Sequence, residues 1–464
     1  MTRVEHAGGQ PPALSLWLAE YKATLVLGLP LIGAQLAQMA INATDTLMIG
    51  WLGAQQLAAS VLALQLFFMS WLAGLGIIQA VMSLASRAEG QGDIRGVRRA
   101  SRMGIWVAFA YTSLAMTWLW NGESILFFLG QDPEVSRIAA EYLRVVQWSM
   151  YPSLFVVALR SFLTCIQKAQ IVLWATVASA LVNAILDYGL IFGAWGLPEL
   201  GIMGAAIASV GTAFASAIIL VIYIFWQPEV RTYEVFVRLW RADWGAFFEI
   251  LRLGWPISLM LLAETGLFGA SAFMMGWIGT LELAAHGIAA QLTGIAFMIP
   301  VGFSNAAIAR VGRALGRQDA DGLQRAGWCA ISLAAAFAIF GGGLFWIFPE
   351  ALIGFYLDES NPNAAAVLVM AVPLLIIAGL FQLADGVQGV ASGVLRGLSD
   401  TKIPMMIAIF GYWAIGFTMA YVLAFPLGFG PEGIWAGLAL GLTFCAVSLT
   451  LRFHKRREWK IVPF

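Results

Sequence analysis

The sequence predicts an all-α integral membrane protein, with twelve transmembrane helices arranged as two pseudo-symmetric six-helix bundles. Three observations carry this expectation. The 464 residues are 60% hydrophobic and 11% charged, against roughly 25% charged in soluble domains. The apolar residues gather into stretches long enough to cross a bilayer. The two halves of the chain also repeat each other at a fixed offset.

Composition excludes several classes of function. A soluble enzyme of this size needs more charge to coat its surface, and a disordered chain needs fewer apolar residues. Lys+Arg and Asp+Glu are both 26, so no net basic field attracts a nucleic acid. Cys165, Cys329 and Cys445 are scattered through apolar stretches and offer neither a disulfide framework nor a metal cluster. His6, His286 and His454 have no zinc spacing. The first twenty residues hold Glu5, Glu20 and a Pro-Pro pair and lack the order of a cleaved signal. The first apolar stretch is therefore expected to be a retained helix.

In chain order the expected spans are 23–50, 57–86, 103–126, 138–162, 170–193, 203–227, 247–275, 283–309, 327–351, 365–395, 403–426 and 433–452. A crossing needs roughly 20 mainly apolar residues. Pro30, Pro152, Pro256, Pro300 and Pro373 fall inside them, as bends in membrane helices often do. The segments between spans alternate in charge. Arg87, Arg95, Arg98, Arg99 and Arg102 follow span 2, and Arg231, Arg238 and Arg241 follow span 6. Arg310, Arg313, Arg317 and Arg325 surround the 8–9 turn, Arg396 and Lys402 flank the 10–11 turn, and Arg452 to Lys460 follow span 12. The opposite loops carry Glu123, Asp132, Glu134, Glu199, Glu282, Glu350, Asp358, Glu359 and Glu432, with Arg137 and Arg144 as the basic residues toward that side. The positive-inside rule then places both termini in the cytoplasm. Arg144 is three residues after Glu141, a spacing at which the two are expected to pair.

Shifting the numbering by 226 lays residues 47–100 on 273–326 without a gap and gives 19 identities in 54 pairs. Trp51 meets Trp277, Gln65 meets Gln291, and Arg87-x-x-Gly90-x-x-Asp93 meets Arg313-x-x-Gly316-x-x-Asp319. Apolar composition alone does not pair Trp, Arg and Asp at one offset. Span 1 falls on span 7, an even number of crossings, so the halves are parallel repeats about an axis along the membrane normal. The lobes are expected at 1–228 and 229–464, with a cytoplasmic connector at about 228–246. The repeated Arg/Gly/Asp motif is expected to be structural, its Gly making a tight turn.

Four acids fall inside spans: Asp45 in span 1, Asp187 in span 5, Glu264 in span 7 and Asp385 in span 10. A carboxylate in the membrane costs at least ~2.5 kcal/mol and calls for a reason. Held out of water, a carboxyl group can take a proton, bind a hard cation such as Na+, or face an organic cation. These options compete for one charge, which is the chemical basis of antiport. Amides stand close by in sequence: Asn183 one turn before Asp187, Gln382 and Gln388 around Asp385, and Gln35, Gln38 and Asn42 ahead of Asp45. No Lys or Arg is expected mid-span apart from Arg144, so the cavity is read as acidic and suited to cationic or neutral amphiphiles. The 30 Phe and 19 Trp offer cation–π surfaces, although most belong to lipid-facing positions and interface belts. No phosphate-cradling Gly-rich loop and no His-Glu-x-x-His occurs, and no nucleophile–base pair accompanies the acids, so enzyme activity is not expected.

Particular motifs resemble the MATE family, the multidrug and toxic compound extrusion transporters. They are Ala43-Thr-Asp45-Thr-Leu-Met-Ile-Gly50, Asn183-Ala-Ile-Leu-Asp187 with Gly196-Leu-Pro-Glu-Leu-Gly201, Gly254-Trp-Pro-Ile257 with Glu264, and Gln382-Leu-Ala-Asp385-Gly-Val-Gln388 leading to Gly393-Val-Leu-Arg396-Gly397. The resemblance covers about residues 20–455. Glu264 together with Asp385 resembles the NorM-like branch, because the DinF-like branch generally lacks the span-7 Glu. It implies cation coupling at Glu264 and Asp385, with Na+ as one possible ligand there, or at a span-1/span-5 site of Asp45, Asn183 and Asp187. NorM-like proteins often carry a Tyr four residues before the span-10 Asp; this chain has Phe381, which removes an oxygen from any Na+ site and leaves proton coupling open.

The expected function is a Na+- or H+-coupled antiporter of the bacterial inner membrane, exporting amphipathic, mainly cationic compounds by alternating access. Substrate contacts are expected from Asp45, Asn183, Asp187, Glu264, Asp385, Gln35 and Gln382. No cofactor beyond the coupling ion is expected, and a monomer can contain the whole pathway. The alternative is a flippase for a lipid-linked oligosaccharide or lipid precursor, for which buried Arg or Lys would speak.

Overall fold

In lipid a chain must satisfy every backbone N–H and C=O internally, so the apolar stretches fold as helices. The computed structural model describes residues 13–357 and 362–462; Glu5, His6, the Pro-Pro pair, Asp358 and Glu359 lie outside them. Among the described residues no strand occurs. Span 1 is Ala13–Gly50, span 2 Ala54–Gly90, span 5 Ala169–Phe192 and span 6 Ile202–Trp226. Span 7 is Trp244–Ile278, span 8 Thr280–Gly316, span 9 Ala320–Ile347, span 10 Ala364–Gly397 and span 12 Gly430–His454. These nine helices, with span 11 over 402–424, are each long and apolar enough to cross a membrane unbroken.

The other two spans are interrupted. Span 3, Ile94–Leu119, bends by 54° into Gly122–Phe128. Span 4 is Pro133–Val146, a 3-10 turn Gln147–Ser149, and Met150–Cys165. Span 11 runs continuously through a π-helical turn at Phe410–Phe417, where Gly411 and Gly416 let the backbone lie against Gly441 of span 12. Pro30, Pro256, Pro300 and Pro373 sit inside unbroken helices, whose freed carbonyls neighbouring helices can re-satisfy.

Several helices outrun their apolar stretches at the Arg-rich end. Span 3 starts at Ile94 rather than 103 because Asp93 caps it, its Oδ1 accepting from the Gly96 N–H at 3.0 Å. Asp319 caps span 9 in the same way, accepting from the Gly322 N–H at 2.7 Å. The Asp of each repeated motif is thus an N-cap. The tight turn belongs not to Gly90 but to Gly92, with φ +71°, and to its counterpart Gln318, with φ +57°.

Gly90 and Gly316 have a different role. A Cβ on Gly90 would strike the carbonyl of Arg313, and a Cβ on Gly316 would strike the carbonyl of Arg87. The residues exchange at the offset of 226, so these contacts are one contact and its symmetry mate. The pattern continues inward. Gly76 lies on the backbone of Ser258 and Gly302 on Ile32; Gly254 lies on Ile77 and Gly28 on the ring of Phe303. Each pair again differs by 226. Backbones without side chains at these points let the lobes close to van der Waals range, as small residues do between membrane helices generally.

Polar contacts reinforce the same seam. Arg310 holds Glu20 through two hydrogen bonds, at 2.8 and 2.6 Å. Arg396 of span 10 donates to Gln79 Oε1 of span 2 at 2.8 Å, and Ser83 donates to the Arg396 carbonyl. The innermost polar link is Ser258 to the Ala73 carbonyl. Beyond it, Gly269, Gly287 and Gly294 in the far halves of spans 7 and 8 have no neighbour within 4 Å of a Cβ position. The two bundles are joined at their Arg-rich halves and part toward the other end.

Replacing Gly90 or Gly316 by Val should lower stability by about 1–3 kcal/mol, the usual cost of overpacking, whereas Gly343→Val, with open space around it, should not. Thermal unfolding of the purified protein in detergent reads the difference.

Candidate functional site

The four acids within spans form two separate clusters, one in each lobe, with Asp187 and Asp385 buried and Asp45 and Glu264 half-buried. In the first lobe, Asn183 Nδ2 donates to Asp45 Oδ1 at 2.8 Å. Asp187, one turn further along span 5 and 0% exposed, lies beside Asp45. Neither Asp187 oxygen has a hydrogen-bond partner, nor does Asn183 Oδ1. Asp45 is half-buried, with Ser209 of span 6 beside it. The fully buried Tyr142 of span 4 faces the same pair, and its hydroxyl is also without a partner. Ser209 and Tyr142 had no sequence signal: each stands alone in an ordinary helical stretch.

In the second lobe, Gln388 Nε2 donates to Glu264 Oε1 at 3.2 Å. The Tyr412 hydroxyl, in the π turn of span 11, donates to Gln388 Oε1 at 3.0 Å. Asp385 is one turn before Gln388 on span 10 and 3% exposed, and Gln382 one turn earlier is 1% exposed. Asp385 Oδ1 and Gln382 Oε1 lack partners. Phe381 is sealed between two rings, 5.9 Å from Phe268 and 5.5 Å from Trp435, both edge-on. Trp435 in turn donates to His286 Nδ1 at 3.2 Å.

The same physics applies in both clusters. Buried acceptors without donors cost free energy until something fills them. The oxygens left over once the Asn183 and Gln388 amides have donated suit a proton or a hard cation. Among the described residues no group of three or more His, Cys, Asp or Glu side chains has metal-holding geometry, so a cation at Glu264 and Asp385 would take amide oxygens such as Gln382 Oε1 as well.

Three sequence expectations are corrected. Arg144 does not pair with Glu141; its partner is Glu123 at 3.6 Å, while Glu141 pairs with Arg137 at 2.8 Å. Gln35 does not join the acids but accepts from Arg160 Nη2 at 3.2 Å. The interior is also not free of basic residues. Arg160, in the second helix of span 4, bonds Gln35 of span 1, and Arg396, expected at a turn, is 7% exposed because span 10 continues to Gly397 and carries it into the seam. Arg396 lies within electrostatic range of Glu264.

Comparison with known proteins follows the same pattern. The family model MatE matches residues 30–189 and 256–422, once in each half. The chain is 50% identical over 439 residues to a probable multidrug resistance protein NorM of Rhizobium meliloti (strain 1021), covering 95% of this chain and 94% of that one. It is 48% identical over 443 residues to a protein of the same name from Agrobacterium fabrum, covering 96% and 95%. Among solved structures, a eukaryotic MATE transporter superposes with a TM-score of 0.84 at 20% identity, covering 96% of this chain and 100% of that one.

Tyr412→Phe removes the donor that fixes the Gln388 amide, and should cost about 1 kcal/mol of stability and loosen Gln388 from Glu264. Thermal unfolding reads the first effect; the second should appear as a shifted carboxyl or amide band in infrared difference spectra against wild type.

Proposed function

The chain belongs to the MatE family and is a membrane transporter, not an enzyme, and from that premise we propose that it is a multidrug efflux antiporter. In this reading it exports amphipathic, mainly cationic compounds in exchange for Na+ or H+, from the bacterial inner membrane, with both termini in the cytoplasm. One observation carries the reading: each lobe holds a pair of acids inside apolar spans, with oxygens left unsatisfied. Such acceptors are costly as bare anions. A proton or Na+ relieves the cost, and so does an organic cation, so the occupants compete.

The seam supports a rocking cycle. If the Arg-rich end is cytoplasmic, the lobes are shut on the inside and parted on the outside, an outward-facing state. Cargo would leave from it, and entry of the coupling ion at Glu264/Asp385 or Asp45/Asp187 would favour return. Arg396 ties the two sides together. It bonds Gln79 across the seam and feels the charge of Glu264, so neutralising that carboxylate alters the electrostatics of the closed end.

The flippase reading gains Arg160 from the structure. Four carboxylates against this one lobe-interior arginine still favour cationic cargo over a polyphosphate lipid.

The deciding experiment is transport of a fluorescent organic cation in proteoliposomes, first with a Na+ gradient at equal pH, then with a pH gradient without Na+. Uphill movement under either condition is expected and names the ion; movement under neither removes the antiport reading. Glu264→Gln and Asp385→Asn should each reduce coupled transport to background in folded protein, and gradient-driven transport at the wild-type rate would exclude the residue from coupling. Phe381→Tyr, which returns a hydroxyl next to span-10 oxygens, should strengthen Na+ dependence; an unchanged ion profile would show that this oxygen is not used.

A further inference from the structure

The Arg-rich end of span 12 carries a cluster that neither the acids nor the seam uses. Residues 452–460 hold five basic side chains, Arg452, Lys455, Arg456, Arg457 and Lys460, and one acid, Glu458. Two of the five are paired: Arg452 with Asp400 at 2.6 Å and Lys455 with Glu458 at 3.4 Å. No acidic side chain among the described residues pairs with Arg456 or Arg457. Of the acids that open span 9, Asp319 caps the helix and Asp321 is exposed in its first turn.

The segment after span 12 folds back on that helix. The Ile461 N–H donates to the Arg456 carbonyl at 2.9 Å, and the buried Val462 packs with Leu449 and Phe453. Arg456 is held in place by its neighbours. Its guanidinium lies 4.6 Å over the Phe453 ring, and Nη1 donates to the Phe453 carbonyl at 3.1 Å. A guanidinium has five N–H donors, so this bond leaves most of the fork for another acceptor. Arg456 is only 5% exposed, yet it lines a pocket of about 230 Å³ together with Arg457, His454, Gln324 and Trp328. Arg457 stands within electrostatic range of it with the same charge. Two like charges at one pocket, one of them buried and neither facing a carboxylate, call for an anion.

The pocket lies where span 9 meets span 12. Gly327 permits the approach, since a Cβ there would strike the Phe453 ring. Trp328, next in sequence, is 5.9 Å from Phe453 and 6.1 Å edge-on from His454. Trp459 is exposed, and Arg452 lies over its ring at 5.7 Å. Tryptophans at helix ends mark the level of the lipid headgroups. From the pocket toward the membrane core, span 12 presents an outward apolar stripe. Leu440, Phe444, Val447 and Leu451 are exposed at spacings of four, three and four residues. His454 continues the stripe three residues on and forms part of the pocket wall. Between Leu440 and Leu451 the helix rises about 16 Å, against about 15 Å for the hydrocarbon of one leaflet. A free anion has no use for this stripe, whereas acyl chains lie along it.

We propose that this pocket binds the phosphate of an anionic phospholipid from the leaflet at the Arg-rich end, with the acyl chains along the span-12 stripe. Arg456 and Arg457 take the phosphate oxygens, and Trp328 and His454 flank the headgroup. Basic clusters just beyond a membrane helix, and basic pockets between helices, recognise such headgroups. Both spans belong to the second lobe, so the lipid moves with that lobe. The site is separate from the four acids and independent of the coupling ion and the cargo.

The test is native mass spectrometry of the full chain released from a neutral detergent, titrated with dioleoyl phosphatidylglycerol or dioleoyl phosphatidylcholine. Successive lipid-bound masses give the affinity of the first lipid, and phosphatidylglycerol should bind ahead of phosphatidylcholine. Arg456→Gln with Arg457→Gln should weaken the first phosphatidylglycerol by about tenfold or more, as loss of charge-assisted bonds does. The same variant should leave phosphatidylcholine within about twofold. Arg231→Gln with Arg238→Gln removes equal charge from exposed positions of the connector and should leave phosphatidylglycerol within about twofold. Equal loss in the two double variants, or no loss in the Arg456/Arg457 variant, overturns the site. Displacement of phosphatidylglycerol by an equal concentration of inorganic phosphate would make the ligand a free anion and overturn the lipid assignment. Should the double variant fail to fold, Arg457→Gln alone decides, because Arg457 is exposed. A loss of about fivefold then supports the site, and unchanged affinity overturns it.

Discussion

The constraint on which this molecule turns is that two large helical bundles touch where side chains are missing. At Gly90/Arg313 and Gly316/Arg87 backbone meets backbone, and the Gly76/Ser258, Gly302/Ile32, Gly254/Ile77 and Gly28/Phe303 contacts extend the approach inward in matched pairs. With no hydrophobic drive between helices in lipid, close packing of this kind supplies the cohesion. Two ion pairs, Arg310–Glu20 and Arg313–Glu89, cross it at the Arg-rich end, and its links further in are single hydrogen bonds to neutral groups, which a tilt can break one at a time. A joint that is tight, shallow and nearly symmetric suits two bodies that tilt about it.

Closing the lobes at one end leaves a parted interior at the other, and the charges are disposed around that space. Each lobe carries its own pair of acids, backed by an amide and a tyrosine: Asn183 and Tyr142 in the first, Gln388 and Tyr412 in the second. The surroundings then diverge. Along span 1 the first cluster is preceded by the amides of Asn42, Gln38 and Gln35, the last bonded to Arg160, whereas the second is walled by Phe268, Phe381 and Trp435 and reaches the seam through Arg396. Duplication produced similar scaffolds with dissimilar interiors.

Much of this was legible in the sequence. Long apolar stretches, alternating arginine content and an offset of 226 define the spans and the repeat, because lipid imposes those patterns directly. The acids stood out because each is a rarity in its span. What was hidden depends on three-dimensional neighbours. Arg160 sits near the edge of an apolar stretch and reads as an end residue until span 4 is seen to break at Gln147–Ser149 and continue to Cys165. Arg396 reads as a turn residue because charge marks turns, yet the helix carries it inward. Gly90 was read as a turn glycine for a sound local reason, but the contact that requires it comes from the other half of the chain. Tyr142 and Ser209 are common residues with no periodic signature.

The π turn in span 11 sets the register of Tyr412. An α-helix gains a turn every 3.6 residues, so adding or losing one residue rotates everything beyond it by roughly 100°. The wide turn at Phe410–Phe417 absorbs such an extra residue within an otherwise regular helix and keeps Tyr412 aimed at Gln388. Related chains that lost one residue here would straighten into ordinary helix and turn that hydroxyl away from the acids, without a change in any residue that contacts them. Length variation within this short stretch is therefore a place where chemistry in the second lobe can diverge while every recognisable motif stays intact.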